Sequence, residues 1–319
     1  MNVLVTGGAG FIGGHIAEAL LDAGHQVSIV DDLSSGFREN IPAGARFYQI
    51  DIRAASLAEV FKNELPEVVC HQAAKANVRE SLEVPVLYAD VNILGSLNLL
   101  ECCRKFGTRK VLFASTGGAV YGEPEFLPVT EDHPVHPLDP YGASKHALEH
   151  YLYLYRANFG LEYTILRYPN VYGPRQNPFG EAGVVAIFAN QILHGDAPPT
   201  INGTGEQERD FVFVSDVVQA NLLALNRGDG GIFNIGSGVG TSVNRIFQLL
   251  AQFAGYPYSP RYGEPKQGEV SKISLDGRRA LEQLGWSPRV SLEDGLQLTL
   301  DYFRKANRQS RPLSVNCTN

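Results

Sequence analysis

Cysteine is scarce in this chain, with only Cys70, Cys102, Cys103 and Cys317 among 319 residues. Two of the four are adjacent within a helix-period segment, so they face different sides and do not read as a disulfide framework. Their spacing is not that of a zinc site, and a reducing, cytoplasmic compartment is expected. Long apolar runs are also missing. None approaches the roughly eighteen residues needed to span a bilayer, so no membrane partner is expected. Positive charge is in deficit: the net charge is −7 and no basic stretch stands out, which argues against a nucleic-acid surface. The start, MNVLVTGGAG, has no basic n-region and turns glycine-rich at once, which predicts no signal peptide. What remains, 44% hydrophobic and 19% charged residues over a length sufficient for two domains, is the composition of an ordinary globular protein.

Short β-branched runs at 2–6, 26–31, 45–50, 67–72, 110–115 and 162–167 read as strands. Most are continuously apolar, as expected when helices cover both faces of a sheet. Amphipathic segments at 11–23, 56–63, 85–106 and 142–159 alternate with them. The alternation predicts an α/β fold with a parallel, doubly wound, Rossmann-like sheet. Beyond 168 the pattern loosens: 168–210 is rich in Gly, Pro and Asn, and 194–210 reads as loop. Helices are expected at 215–226, 243–254, 276–284 and 292–305, and the last dozen residues as a frayed tail. The expected division is a nucleotide-binding domain over 1–170, with a contribution from about 211–237, and a smaller α/β substrate domain over 171–319.

Gly7, Gly10 and Gly13 lie between the first strand and the first helix, as G-x-x-G-x-x-G. Such a turn needs glycine dihedrals, lets the backbone approach a pyrophosphate and packs the helix close to the strand. Phe11 and Ile12 cover the turn at the helix end whose free N–H groups and positive dipole suit phosphates. The second strand ends in Asp31, eighteen positions after Gly13, where a carboxylate can accept both ribose hydroxyls of adenosine. No arginine sits beside it, and Arg38 is several residues away, which favours NAD over NADP. Asp51, closing the third strand region, suits the adenine amino group.

Residues 139–150, DPYGASKHALEH, admit two chemistries. Tyr141 and Lys145 form a Y-x-x-x-K pair on one helix face. The lysine can lower the tyrosine's pKa from its usual ~10 and hydrogen-bond a nicotinamide ribose. Tyr141 would be the general base or acid and Lys145 its tuner. His146, Glu149 and His150 spell H-x-x-E-H, a zinc-hydrolase signature. That reading needs a third protein ligand and an open water position. His133, His136 and Asp139 lie upstream, but spacing specifies none of them. The NAD-type features are independent and converge, so no metal is expected. His146 and His150 are read as helix-surface or dimer-contact residues.

Together the stretches VTGGAGFIGGHIAEALL, VDDLSSG, HQAA, ASTGGAVYGE, YGASK, LRYPNVYGPRQ, GTGEQERDFVFVSDV, FNIGSG and GEV resemble the extended short-chain dehydrogenase/reductase family. Within it they are similar to the sugar-nucleotide branch of UDP-galactose (UDP-glucose) 4-epimerases, over nearly the whole chain. The resemblance implies that Asp31, Asp32, Ser34, Ser35 and Gly36 surround the adenosine ribose, and that Asp51 with Ile52 flanks the adenine. Gln72, Ala73 and Ala74 would line the cofactor, with Asn92 nearby. Tyr168, Pro169 and Asn170 would mark the passage to the sugar, and Val184 and Phe188 would lie near the uridine diphosphate. Arg209 would pair with the diphosphate. Asn202, Gln207 and Glu269 would make further substrate contacts.

Three departures stand out. The serine many relatives carry four residues before the tyrosine of VYG is Gly117 here. The bridging hydroxyl must then come from Thr116 or Ser115, and Thr116 is preferred. Lys266 replaces a common arginine near GEV, and the cofactor-side lysine falls one place early, at Lys75. Residues 116–119 carry no carboxylate, unlike those of related dehydratases, so a 4-keto sugar has nothing to do except take its hydride back.

The implied reaction is therefore epimerisation of a UDP-hexose. Tyr141 takes the 4-hydroxyl proton with Thr116 bridging, the C4 hydride passes to NAD+, and the keto sugar turns about its diphosphate and is reduced on its other face. Ile273, at a position that often gates N-acetylated substrates, leaves other nucleotide sugars open. Non-catalytic sensors of the same fold typically lose the Tyr–Lys pair, which this chain keeps. The family usually forms homodimers, and Leu94, Leu97, Leu148, Leu152 and Leu154 could serve either that contact or the core.

Overall fold

A computed structural model describes residues 1–179, 183–195, 197–265 and 270–310, with side chains through 305. The strands, in chain order, are β1 (Asn2–Thr6), β2 (Gln26–Asp31), β3 (Arg46–Gln49), β4 (Val68–His71), β5 (Lys110–Thr116), β6 (Glu162–Tyr168), β7 (Asn170–Tyr172), β8 (Thr200–Asn202), β9 (Glu208–Phe213), β10 (Gly231–Asn234), β11 (Gly240–Ser242) and β12 (Arg261–Gly263). Seven form one sheet in the order β10-β6-β5-β4-β1-β2-β3. All its neighbours run parallel. The order reverses between β1 and β4, and in open parallel sheets the crevice beyond the strand ends at that point is where ligands bind.

The continuous apolar runs follow from burial on both faces. In β1, Val3 and Val5 enter one core while Leu4 enters the other. The first core packs helices Phe11–Asp22 and Val214–Ala224 on the sheet, closed by Trp286, whose indole N–H donates to the Asp216 carbonyl at 2.7 Å. The second packs helices Leu57–Glu64, Ser96–Phe106 and Pro140–Phe159 on the opposite face. A third core joins β9 to helices Val184–His194, Val243–Ala254 and Leu292–Ser310.

Two segments differ from expectation. The helix expected at 85–106 is three pieces: Pro85–Ala89, a π-helical turn Asp90–Gly95, and Ser96–Phe106. Pro85 starts it, and the wider turn points Asn92 inward. Pro85–Phe106 is long and apolar enough by length and composition to cross a membrane. Here it packs against helix Pro140–Phe159, with Asn92 and Ser96 buried in hydrogen bonds. Within the expected loop 194–210, β8 forms by pairing with β12, some sixty residues away and invisible to local pattern.

Candidate active site

Gly7 has φ +69°, and a Cβ there would lie 2.7 Å from the Ala73 nitrogen. A Cβ on Gly13 would fall 2.1 Å from the Gly7 carbonyl oxygen. The turn is therefore closed against its own backbone and against the 72–74 segment. It ends at Gly10, the N-cap of helix Phe11–Asp22. The next N–H groups, from Phe11 to Gly13, have no carbonyl a turn earlier to bond. Asp31 is buried and accepts from the Ala9 N–H (3.0 Å) and the Leu33 N–H (2.8 Å). Burial raises its pKa, and those two bonds partly offset the rise. Its first task is thus to hold the glycine turn, a role its position after the strand did not reveal. Asp32 accepts from the Ser34 N–H at 2.8 Å, and Gly36 passes so close that a Cβ would sit 2.9 Å from the Ala9 Cβ.

Gly7, Gly10, Asp31, Asp32, Ser34, Ser35, Asp51, Ile52, Gln72, Ala73, Ala74 and Lys75 line one lobe of a groove. Gly7, Gly10, Gln72 and Ala74 also line the second lobe, so the two are continuous. Arg38 turns away, donating to Gln49 Oε1 at 2.7 Å and covering the Phe47 ring. Asp51 is gripped by Arg53, with Nη2 at 2.5 Å, and Arg53 also reaches Asp90. Hydrogen bonds from Arg53 hold the Asp51 carboxyl below its usual range. A glycine cradle that any Cβ would fill, a helix end and carboxylates at the ribose position fit an adenine dinucleotide, and these residues would hold it. Asn92 does not line the groove. Its amide accepts from the Lys75 N–H (2.8 Å) and donates to the Lys75 carbonyl (2.9 Å) and to Ser144 Oγ (2.9 Å), so it clips the 73–75 segment to helix Pro140–Phe159.

The second lobe runs from Phe11, Ile12 and Gly13 past Thr116, Gly118, Tyr141, Lys145, Tyr168, Pro169 and Asn170 to Arg209. Asp139 caps helix Pro140–Phe159 by accepting from the Gly142 N–H at 2.8 Å, which starts the helix where Tyr141 faces β5. Tyr141 and Thr116 line the same lobe, and the Thr116 hydroxyl favours the ionised phenol. Ser115, on the other face of the strand, donates to Glu149 Oε1 at 2.6 Å instead. A Cβ at Gly117 would lie 2.2 Å from Leu275 Cδ1, so a side chain there would require the Leu275 side chain to move.

Lys145 differs from expectation. Its ammonium donates to the Ala114 carbonyl (2.8 Å) and lies over the Phe113 ring, and burial lowers its pKa to about 7 against the raising influence of Glu149. Burial instead pushes Tyr141 up to about 12, with the Thr116 hydroxyl opposing and Asp139 adding to the rise. The expected lowering of the phenol by Lys145 is not present: the ammonium is turned to the strand.

H-x-x-E-H splits across the helix surface. Glu149 points inward to Arg167, both side chains 3% exposed, with Nη2 at 2.5 Å. His146 Nδ1 lies 3.2 Å from Glu149 Oε2, and the His146 and His150 Nε2 atoms are 3.1 Å apart at the surface. A carboxylate neutralised by a buried guanidinium cannot serve as the base of a zinc hydrolase. Among the described residues no three His, Cys, Asp or Glu side chains form a metal-binding group.

Toward the far end, several expected contacts lie elsewhere. Phe188 is 2% exposed, edge-on to Phe247 in the third core, and Val184 packs against the same core. Gln207 donates to the Asn202 carbonyl at 3.1 Å, and neither lines the groove. Ile273 is buried with Val120, Tyr121, Val129 and Leu275, which removes it as a gate. Lys266 and Glu269 lie outside the described residues. Sequence reading missed Asn77, Arg79, Leu82, Leu138 and Gln176 in the lining. It also missed Asn221, which donates to the Tyr168 hydroxyl at 2.8 Å and is visible in sequence as a polar residue in an apolar helix.

The sequence model of the family described as NAD dependent epimerase/dehydratase matches residues 3–236. A putative UDP-glucose 4-epimerase of Methanocaldococcus jannaschii is 48% identical, over 96% of this chain and 99% of its own length. The crystal structure of a Thermotoga maritima UDP-glucose 4-epimerase with UDP-glucose superposes with a TM-score of 0.95 at 50% identity, covering 96% of this chain and all of that one. The NAD complex of a Thermus thermophilus UDP-glucose 4-epimerase superposes with a TM-score of 0.91 at 46% identity, over 96% and 100% of the two chains. Glycine cradle, Tyr–Lys helix and whole-length similarity agree: the chain belongs to the NAD-dependent epimerase/dehydratase family.

Proposed function

We propose that this protein interconverts UDP-glucose and UDP-galactose with a retained NAD. The observation that carries the reading is that Thr116, Tyr141 and Lys145 line the middle of one continuous groove whose one end is the glycine cradle and whose other is Arg209. Held by the glycine cradle and the Asp31 and Asp32 end of the groove, NAD+ would supply the acceptor for the C4 hydride and a positive charge that favours the ionised phenol. Tyr141 takes and returns the 4-hydroxyl proton, and Thr116 bridges the 4-oxygen. Arg209, which donates to the Glu208 carbonyl at 2.9 Å and so is oriented by its own strand, grips the diphosphate while the sugar turns. Gly118 leaves open space before Asn170 and Thr116, both 3.9 Å from an added Cβ, so no acid–base pair interrupts the 4-keto sugar. Residues 1–170 with 211–237 serve as the NAD domain and 171–319 as the substrate domain, in the cytoplasm.

Incubation of purified protein with UDP-galactose and no added NAD should yield UDP-glucose, read by chromatography. No product, with NAD released on denaturation, would redirect the reading to another nucleotide sugar.

The same reading includes a homodimer. Leu148 and Leu152 are 1% exposed core residues, whereas Leu94 (58%) and Leu154 (46%) stand out on neighbouring helices. The double variant L94E/L154E should elute as a monomer in light-scattering chromatography. An unchanged mass would remove this face as the contact.

A further inference from the structure

Tyr141, Lys145 and Glu149 are spaced i, i+4, i+8 and so lie on one face of helix Pro140–Phe159. Each is placed with one of three consecutive residues of β5: Tyr141 shares the groove lining with Thr116, which favours its ionised form, Lys145 donates to the Ala114 carbonyl (2.8 Å), and Glu149 accepts from Ser115 Oγ (2.6 Å). The third rung is the most heavily built. Arg167 donates from Nε (2.9 Å) and Nη2 (2.5 Å) to the two Glu149 oxygens, and from Nη1 to the Tyr121 hydroxyl (2.8 Å). Tyr121 in turn donates to Asn234 Oδ1 at 2.7 Å on β10.

We propose that Glu149 is a positioning residue for the reaction. It locks the catalytic helix in register with β5, so that the Tyr141 and Thr116 hydroxyls meet, and it supplies the buried counter-charge of Lys145. The proposal rests on the epimerase reading above. Two charges this deep would be unnecessary for packing alone, since an apolar pair of similar volume usually serves stability as well or better. Their placement ties the strand and helix that carry the proton-transfer residues.

The electrostatics follow. Burial works against the Glu149 charge, but hydrogen bonds from Arg167 and His146 hold its carboxyl down to about 2, so it is ionised at neutral pH. Lys145 interacts electrostatically with Glu149 on its own helix and with His71 on β4, and it shares the groove lining with Tyr141 and with Tyr168 of β6. Burial and the Lys145 charge keep His71 neutral. Burial raises Tyr168, which also stays neutral. Glu149 is thus the negative charge that favours protonated Lys145. Without it the Lys145 pKa falls below its present value of about 7, and the protonated lysine is lost at a lower pH.

The test compares wild type, E149D, E149Q and the double variant E149Q/R167M. The double variant removes the buried carboxylate together with the guanidinium that pairs with it, so it should fold even if E149Q does not. E149Q and the double variant should lower kcat with UDP-galactose about tenfold or more, per folded enzyme, with KM changed less than about threefold. In E149Q the alkaline limb of the kcat profile should move to lower pH. E149D keeps the charge but shortens the reach, and should leave that limb in place while lowering kcat. Independently of turnover, the Lys145 13Cε resonance, assigned with K145R in lysine-labelled protein, should titrate at lower pH in E149Q than in wild type. Wild-type kcat and pH profile in folded E149Q or in the double variant, with an unmoved Lys145 midpoint, would overturn the proposal. A wild type that does not act on UDP-galactose fails the epimerase reading alone, and the Lys145 midpoint still decides this one.

Discussion

Tyr141→Phe is expected to lower kcat by about 10²–10⁴-fold, the usual worth of a positioned general acid–base, while the purified protein keeps its NAD. The phenol oxygen is the part of the side chain that the Thr116 hydroxyl influences, and phenylalanine refills the remaining volume. Three other titratable groups that line the groove, among the described residues, are engaged elsewhere. Asp139 is spent on the Gly142 N–H, and the Tyr168 hydroxyl is engaged by Asn221 and Gln72. Lys145 is turned to the Ala114 carbonyl, and Ser115 donates to Glu149. Burial pushes the phenol up to about 12, so at neutral pH it rests protonated, ready to donate. It must be helped to accept by positive charge brought with the bound dinucleotide. Retention of more than about a tenth of wild-type kcat would sink the assignment of Tyr141 as the proton carrier.

Gly13→Ala should abolish retained NAD, because the new Cβ would fall 2.1 Å from the Gly7 carbonyl oxygen and 3.0 Å from the Gly8 Cα. Both neighbours are backbone, so relief requires the turn itself to move, at a cost of about 1–3 kcal/mol in overpacking. A turn displaced this way no longer faces Ala73, whose nitrogen lies 2.7 Å from a Cβ placed on Gly7, and the phosphate cradle opens. Absorbance of the supernatant after acid denaturation measures the bound dinucleotide. Equal NAD in Gly13→Ala and wild type would mean that the phosphates do not sit on this turn.

The groups behind both predictions are largely legible in the amino-acid sequence. The glycine spacing, Asp31 at the end of β2 and the Tyr–Lys pair are local patterns, and local backbone geometry is what dictates them. So is the parallel sheet, since strands buried on both faces must be apolar throughout, as Val3, Leu4 and Val5 are. The far end of the groove is less legible. Phe188, Asn202 and Gln207 occupy positions that match the family pattern, yet the Phe188 ring serves the third core and the Gln207 side chain clamps the Asn202 backbone carbonyl. Which side of a short helix or loop faces a ligand depends on how a second layer docks, and no periodicity records that. Arg79 joins the lining without a sequence signal for the same reason.

The amino-acid sequence alone carried the family, the alternation of strands and helices in the parallel sheet, the glycine turn and the helix that bears the Tyr–Lys pair. These depend on spacing within one element or between consecutive ones. Only the tertiary structure decided between the two hydroxyls beside Tyr141, sending Thr116 to the phenol and Ser115 to Glu149 on opposite faces of β5. It also decided the meaning of H-x-x-E-H. The motif places Glu149 beside two histidines along the helix, but Arg167 arrives from β6, eighteen residues later, and claims the carboxylate. A buried charge takes its role from the partner that neutralises it, and that partner is set by packing across the sheet.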